Sequence, residues 1–144
     1  MNVRHATRLG LVGWPNLDEW QLLGLQVPAS RRNVSGFTHV SLRLGQLAAV
    51  ADPALANPSN EYTSLMIGLS DGSSSSWVWS TAHGKIPPSD LRPNGQYQSV
   101  MNTLKIPLTA FSNLDKTAIQ AVYLAFPAGT HGTLLIDSVE WFKE

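Results

Sequence analysis

A G-x-S-x-G pattern is the feature of this sequence that would most directly indicate catalysis. Residues 68–72, Gly-Leu-Ser-Asp-Gly, have the spacing of a hydrolase nucleophile elbow, in which a strand, a sharp turn and a helix expose a serine. Four serines and then Trp77-Val78-Trp79 follow, which favours a second strand over a helix. Asp71-Gly72 is a typical hairpin pair because both residues adopt positive φ angles readily. We therefore interpret Ser70 as a turn residue and expect no enzymatic activity. A small esterase or glycosidase is the most distant alternative.

Trp77 and Trp79 are the strongest candidates for ligand binding. They flank Val78 and project to the same side of one strand, because side chains alternate along a strand. If Val78 faces the core, the two indoles form an exposed platform on which the apolar face of a sugar ring can pack. If the tryptophans face the core instead, Ser76, Val78 and Ser80 are outside. The sequence leaves both orientations open.

Further candidate ligand-binding residues lie on a second strand and in loops. In the predicted strand 38–44, His39 and Arg43 project from the face opposite to the apolar side chains, and they could hydrogen-bond sugar hydroxyls. The remaining candidates are in or near predicted loops, where binding residues concentrate; they are His83, Tyr97, Trp14 and Trp20. The four histidines have no metal-ligand spacing, so zinc has no support.

Length, charge and cysteine content narrow the class of protein. The chain has 144 residues and 43% apolar content, which predicts one domain over residues 1–144. Ten basic residues balance ten acidic ones without long runs, so we expect neither nucleic acid nor a membrane as partner. The absence of cysteine excludes disulfides and a thiol nucleophile. The low proportion of charged residues, 14%, and the five tryptophans favour an extracellular β domain. No signal peptide is recognisable in the sequence, so we expect such an extracellular domain to be a fragment of a longer secreted protein.

The elements that must position these residues are almost all strands. Period-two alternation is clearest at Val40, Leu42 and Leu44. Only 47–55 could form a short helix, and Pro53 interrupts it. The fold class predicted is all-β, a two-sheet antiparallel β-sandwich of jelly-roll type. The predicted strands are residues 6–13, 19–27, 38–44, 62–69, 75–81, 100–108, 119–126 and 133–142.

Several segments in order resemble a known group of modules. They are NVSGFTHVSLRLGQ (33–46), LMIGLSDGSSSSWVWSTAHGKIP (65–87), MNTLKIPLTAF (101–111), LDKTAIQAVYLAF (114–126) and GTLLIDSVEW (132–141). This pattern resembles the galactose-binding-like jelly-roll accessory modules of secreted bacterial hydrolases. The resemblance implies a noncatalytic carbohydrate-binding module that partners polysaccharide and the catalytic domain of its parent enzyme. It also favours exposure of Trp77 and Trp79. The alternative is a structural module that packs against the catalytic domain without binding glycan.

The resemblance also raises the question of a metal. Related modules often carry a structural calcium ion held by carboxylates and backbone carbonyls, and Asp137 is the candidate ligand here. Strand alternation places Asp137 on the face of Leu135, Val139 and Trp141, where a carboxylate needs a partner. The alternative is an Asp137 bonded to arginine or to backbone amides.

Overall fold

Ten β-strands are present among the residues that the structure describes. The computed structural model describes residues 10–144 except 49, 59, 60, 92 and 95, and it leaves the side chains of residues 90, 91 and 97 undescribed. The strands are β1 (Leu11–Trp14), β2 (Gln21–Gln26), β3 (His39–Gln46), β4 (Met66–Ser70), β5 (Ser75–Trp79), β6 (Asp90–Leu91), β7 (Tyr97–Gln98), β8 (Met101–Pro107), β9 (Ala121–Phe126) and β10 (Gly132–Phe142).

The strands form two four-stranded antiparallel sheets. One sheet has the order β1-β10-β3-β8 and the other β2-β9-β4-β5, while β6 and β7 pair separately. Within the described ranges, three short 3-10 helices connect strands, at Ala29–Arg31, Ser80–Ala82 and Leu108–Ala110. No helix in the described part of the chain has the length and hydropathy that a membrane span requires. The predicted all-β, two-sheet antiparallel architecture is confirmed.

The core lies between the inward faces of the two sheets. Val40, Leu42 and Leu44 of β3 are fully buried, as their alternation predicts, and they belong to the same apolar cluster as Ile67 and Leu124 of the other sheet. Complete burial of one such side chain stabilises the fold by about 1.5–3 kcal/mol, so this cluster holds the sheets together.

Several sequence-based predictions of secondary structure differ from the structure. The predicted strand 6–13 is β1 at Leu11–Trp14, and its first residues lie outside the described part of the chain. The helix considered at 47–55 is absent from the residues described there, where Leu55 N donates to Asp52 O at 3.0 Å in a turn. Pro53 supplies no backbone donor within this turn, which is one physical reason for the difference. Strands β6 and β7 lie between the predicted strands 75–81 and 100–108, where the sequence predicts no strand.

A β-bulge in β10 turns the Asp137 side chain away from the face that the sequence predicted. The register of β10 against β3 shifts between Ile136 and Ser138, so the inserted residue breaks the period-two alternation. Trp141 and Val139 pack on the core, but Asp137 is exposed. The expectation that these three residues share one face is therefore wrong.

Candidate functional site

The G-x-S-x-G segment is a hairpin between two strands. β4 ends at Ser70 and β5 begins at Ser75, with Gly72 at φ 90° in the connection. The Ser70 hydroxyl accepts a hydrogen bond from Gly72 N at 3.1 Å, which is a local turn contact. The turn interpretation is confirmed, and the four residues 71–74 connect the two strands. A nucleophile elbow requires a helix after the serine, and β5 occupies that place.

The hairpin points Val78 inward and its two tryptophans outward. Val78 packs against the core cluster. Trp79 is 42% exposed and Trp77 is half-buried, on the opposite side of β5. The structure therefore selects the exposed orientation, which the sequence alone left open.

Two aromatic rings lie over glycines on this outward surface. Gly68 pairs with both Trp77 and Tyr123, and Gly24 pairs with Tyr123, so the four residues form one row across the sheet. A Cβ built on Gly68 would lie 2.7 Å from Trp77 Cε3, and one on Gly24 would lie 3.0 Å from Tyr123 Cε1. The ring centroids of Trp77 and Tyr123 are 5.9 Å apart and tilted by 31°. Glycine thus allows both rings to lie close to the sheet.

A second aromatic pair lies beside this row. Trp20, just before β2, is 46% exposed, and its ring centroid is 5.8 Å from that of Trp79, with a 57° angle between planes. We call the outward surface of the β2-β9-β4-β5 sheet around Trp20, Trp77, Trp79 and Tyr123 the aromatic face. Offset aromatic pairs of this kind stabilise one another by about 0.5–1.5 kcal/mol and present ring faces and edges to solvent.

The aromatic face carries no formal charge along its four strands. The register defines its outward positions as Leu22, Gly24, Gln26, Met66, Gly68, Ser70, Ser75, Trp77, Trp79, Ala121, Tyr123 and Ala125. All of them are apolar, aromatic, hydroxyl or amide residues. The face therefore offers stacking surface and neutral hydrogen-bonding groups.

Asp71 anchors the hairpin that carries the tryptophans. Its Oδ1 accepts hydrogen bonds from Ser73 N at 2.9 Å and Ser74 N at 2.7 Å, and its Oδ2 accepts one from Asp115 N at 2.9 Å. The backbone amide of Asp115, followed by those of Ser74 and Ser73, lowers the pKa of the Asp71 carboxyl. The hairpin and the loop at 112–118 are thus joined through one carboxylate.

Two of the predicted ligand-binding residues lie on the opposite side of the sandwich. His39 and Arg43 project outward from β3, which belongs to the β1-β10-β3-β8 sheet. The His39 ring stacks on Phe142 with centroids 5.0 Å apart, and its Nε2 lies 3.5 Å from Glu144 Oε2. Sheets pack about 10 Å apart, so these side chains cannot contact a ligand resting on Trp77.

The loop candidates separate as well. Trp14 is the last residue of β1, next to the loop that follows; it is 4% exposed and stacks on Phe126 at 4.3 Å. His83 follows the 3-10 helix after β5, with its backbone N–H bonded to Ser80 O. Tyr97 lies in β7, and its side chain is outside the described part of the structure. Of the loop aromatics, Trp20 joins the aromatic face.

Asp137 forms an ion pair with the guanidinium of Arg43. Its Oδ2 lies 3.3 Å from Arg43 Nη1, and both side chains are about half exposed. Among the described residues, no group of three or more histidine or carboxylate side chains is placed to hold a metal ion. A guanidinium so close disfavours a second cation, so calcium at Asp137 stays a prediction without support from its surroundings.

Sequence reasoning missed Tyr123, although a signal for it exists. In residues 121–126, Val122, Leu124 and Phe126 are buried in the core, which leaves Tyr123 between two alanines on the other side. A large aromatic alternating with alanines on the outward side of a strand was the available indication.

The fold is similar to that of solved carbohydrate-binding modules. A family 11 carbohydrate-binding module from Clostridium thermocellum, in complex with a β-1,3-1,4-mixed-linked tetrasaccharide, matches with a TM-score of 0.61 at 10% identity, covering 99% of this chain and 85% of the module. The family 11 module of a cellulosomal cellulase of the same organism matches at 0.51 and 10% identity, covering 100% and 96%. CBM28, a module specific for non-crystalline cellulose, matches at 0.54 and 13% identity, covering 93% and 74%.

These likenesses confirm the predicted jelly-roll β-sandwich. No protein-family model matches the chain, and no curated protein matches it by sequence. The similarity therefore concerns the arrangement of strands and not the side chains of the site.

Proposed function

We propose that this chain is a noncatalytic carbohydrate-binding module that holds a polysaccharide on the aromatic face. The observation that carries the proposal is the outward placement of Trp77 over Gly68, beside Tyr123 and close to Trp79. Flat rings held against a sheet provide the contact area that the apolar faces of sugar rings require, and rings ordered before binding lower its entropic cost.

The absence of charge on the strands of the aromatic face defines the class of polysaccharide. An anionic glycan requires lysine or arginine at its site, whereas the outward residues of β2, β9, β4 and β5 are uncharged. The charged side chains Arg43 and Asp137 lie on the other sheet. We therefore propose a neutral polysaccharide, bound through stacking and through the amide and hydroxyl groups of residues such as Gln26 and Ser75.

The role in a larger protein follows from the same proposal. The fold is that of modules whose solved examples include part of a cellulosomal cellulase. We propose that the chain works outside the cell, where it keeps the catalytic domain of a parent enzyme close to polysaccharide. No catalytic role is assigned to Ser70, whose hydroxyl is bonded within its own turn.

The proposal is tested by measuring binding to neutral and anionic polysaccharides in affinity gels and by calorimetry. We expect retention by at least one neutral polysaccharide, with little change between low and high salt because no ion pair forms. Trp77→Ala and Trp79→Ala should remove retention. The matched controls His39→Ala and Arg43→Ala change the opposite sheet and should keep it. Retention only by anionic glycans, or loss in the controls alone, would contradict the proposal.

The second candidate function is docking against a catalytic domain without glycan binding. Leu22, 63% exposed, lies on the same surface as Trp20 and Trp79, and contiguous apolar surface also suits a protein interface. Acrylamide quenching of tryptophan fluorescence separates the two functions. Protection by a neutral glycan supports binding, whereas protection only by the parent catalytic domain supports docking.

A further inference from the structure

A cleft opens at the end of the sandwich next to the aromatic face. Its volume is about 280 Å³, close to the lower end of the roughly 300–1,000 Å³ typical of small-molecule pockets. Trp79 belongs to both the cleft and the aromatic face. The lining residues are Trp14, Pro58, Glu61, Tyr62, Thr63, Ser64, Trp79, Pro127, Thr130 and His131. A cavity of this size suits a single sugar unit better than an extended chain.

Hydrogen bonds hold two walls of the cleft in place. Asn57 Nδ2 donates to Leu47 O at 2.9 Å and to Thr133 O at 3.0 Å, while its Oδ1 accepts from Thr133 N at 2.9 Å. Gln46, almost completely buried, donates from Nε2 to Glu61 O at 2.7 Å. The segments that carry Pro58 and Glu61 are therefore tied to the core, and the cleft exists before any ligand arrives.

The side chains that line the cleft combine aromatic surface with hydrogen-bonding groups, which together can bind a sugar. Aromatic surface is supplied by Tyr62, which is 57% exposed, and by Trp79. The Lys85 ammonium makes a cation-π contact with Tyr62, with Nζ 5.1 Å from the ring centroid. Glu61 and Ser64 add a carboxylate and a hydroxyl. The Nδ1 of His131 is buried and has no hydrogen-bond partner among the described residues, a state that a bound hydroxyl or water relieves.

The position of the cleft relative to the aromatic pairs indicates what it would hold. The Trp77–Tyr123 contact runs from β5 to β9, and the Trp79–Trp20 contact runs from β5 to the residue before β2, so both run across the sheet. The cleft instead lies beyond the strand ends, between Trp79, the last residue of β5, and Ser64, which precedes β4. A chain that follows the aromatic pairs therefore passes beside the cleft and does not end in it.

From this arrangement we infer that the cleft is a separate subsite for a single-sugar branch of the bound polysaccharide. The inference rests on the proposed function, because the main chain occupies the aromatic face. Trp79 contacts both the main chain and the branch, whereas Tyr62, Glu61 and His131 contact the branch alone. The ligand class is accordingly a neutral polysaccharide with single-sugar side branches.

The test compares oligosaccharides that share a backbone and differ in branching. Calorimetry is run with linear gluco-oligosaccharides against xylose-branched ones, and with linear manno-oligosaccharides against galactose-branched ones. The wild type should bind at least one branched form about tenfold more tightly than its linear counterpart. Tyr62→Ala should abolish this preference and leave the affinity for the linear form unchanged. Trp77→Ala should weaken both forms, and the control Thr103→Ala, on the opposite sheet, should change neither.

Each other outcome overturns the inference in a distinct way. Equal affinities for linear and branched forms, unaffected by Tyr62→Ala, mean that the cleft binds no sugar while the proposed function stands. Equal weakening of both forms by Tyr62→Ala means that the cleft holds a unit of the main chain. If Trp77→Ala also has no effect on either form, the proposed site on the aromatic face is wrong as well.

Discussion

The indole of Trp77 lies directly over Gly68, so close that a Cβ on the glycine would be 2.7 Å from the ring. This contact provides a way to disturb the aromatic face without removing an aromatic residue. We expect Gly68→Ala to displace the indole and to lower glycan affinity about tenfold or more, because overpacking forces side chains to move. Calorimetry measures the change. The matched control is Gly36→Ala, since an added Cβ there meets nothing within 4 Å. Unchanged affinity in Gly68→Ala would remove Trp77 from the site.

Trp79 should contribute much to binding and little to stability. It is 42% exposed and its main aromatic contact is Trp20, so Trp79→Ala should reduce the free energy of unfolding by only about 1 kcal/mol. Affinity should fall tenfold or more. Trp141→Ala is the comparison, because Trp141 is 7% exposed and its truncation should cost about 3–5 kcal/mol. Denaturant unfolding measures both values, and similar losses would show that Trp79 is a packing residue.

Ser70 should be dispensable for both fold and binding. Ser70→Ala removes one hydrogen bond to Gly72 N in the hairpin, which we expect to lower stability by about 1 kcal/mol or less. Glycan affinity should be retained, since Gly72 and Asp71 determine the turn geometry. Hydrolysis of chromogenic esters by the wild type, lost in Ser70→Ala, would instead identify Ser70 as a nucleophile.

Asp71 should make stability depend on pH in the acidic range. Backbone amides lower the pKa of Asp71 in the folded state, so its contribution is complete above the ordinary aspartate value of about 3.9 and is lost as the pH falls through the lower folded-state pKa. Asp71→Asn should therefore melt below the wild type at neutral pH, and the difference should shrink on acidification. Thermal melts across this range measure it. A difference that is constant with pH would show that the charge is not responsible.

Asp137 provides the test for calcium. As an exposed ion pair with Arg43, it should contribute between about 0 and 1 kcal/mol, so Asp137→Asn should change the melting temperature little. If calcium is bound there, a chelator lowers the melting temperature of the wild type but not that of Asp137→Asn, because an ion that binds only the native state stabilises it. If the chelator changes the melting temperatures of both proteins equally, calcium is not bound at Asp137, and the ion pair with Arg43 is the role that remains for this carboxylate.

The sequence by itself determined most of the strands and the local turn. Alternation at Val40, Leu42 and Leu44 predicted a half-buried strand, and those side chains are fully buried. The residues after Gly72 predicted a hairpin, which joins β4 and β5. These features depend on neighbours a few residues apart, so composition and spacing are sufficient to predict them.

Only the tertiary structure decided which residues share a surface. Trp77 and Val78 are both apolar, so alternation could not say which one packs inward; the core formed with β9 decided it. Strand pairing over long sequence separations placed Tyr123 beside Trp77, and it put Arg43 on the other sheet. A single inserted residue at Asp137 reversed the expected facing of that carboxylate. The physical reason is that a strand has two faces by local geometry, but the backbone hydrogen bonds that choose its neighbours are nonlocal.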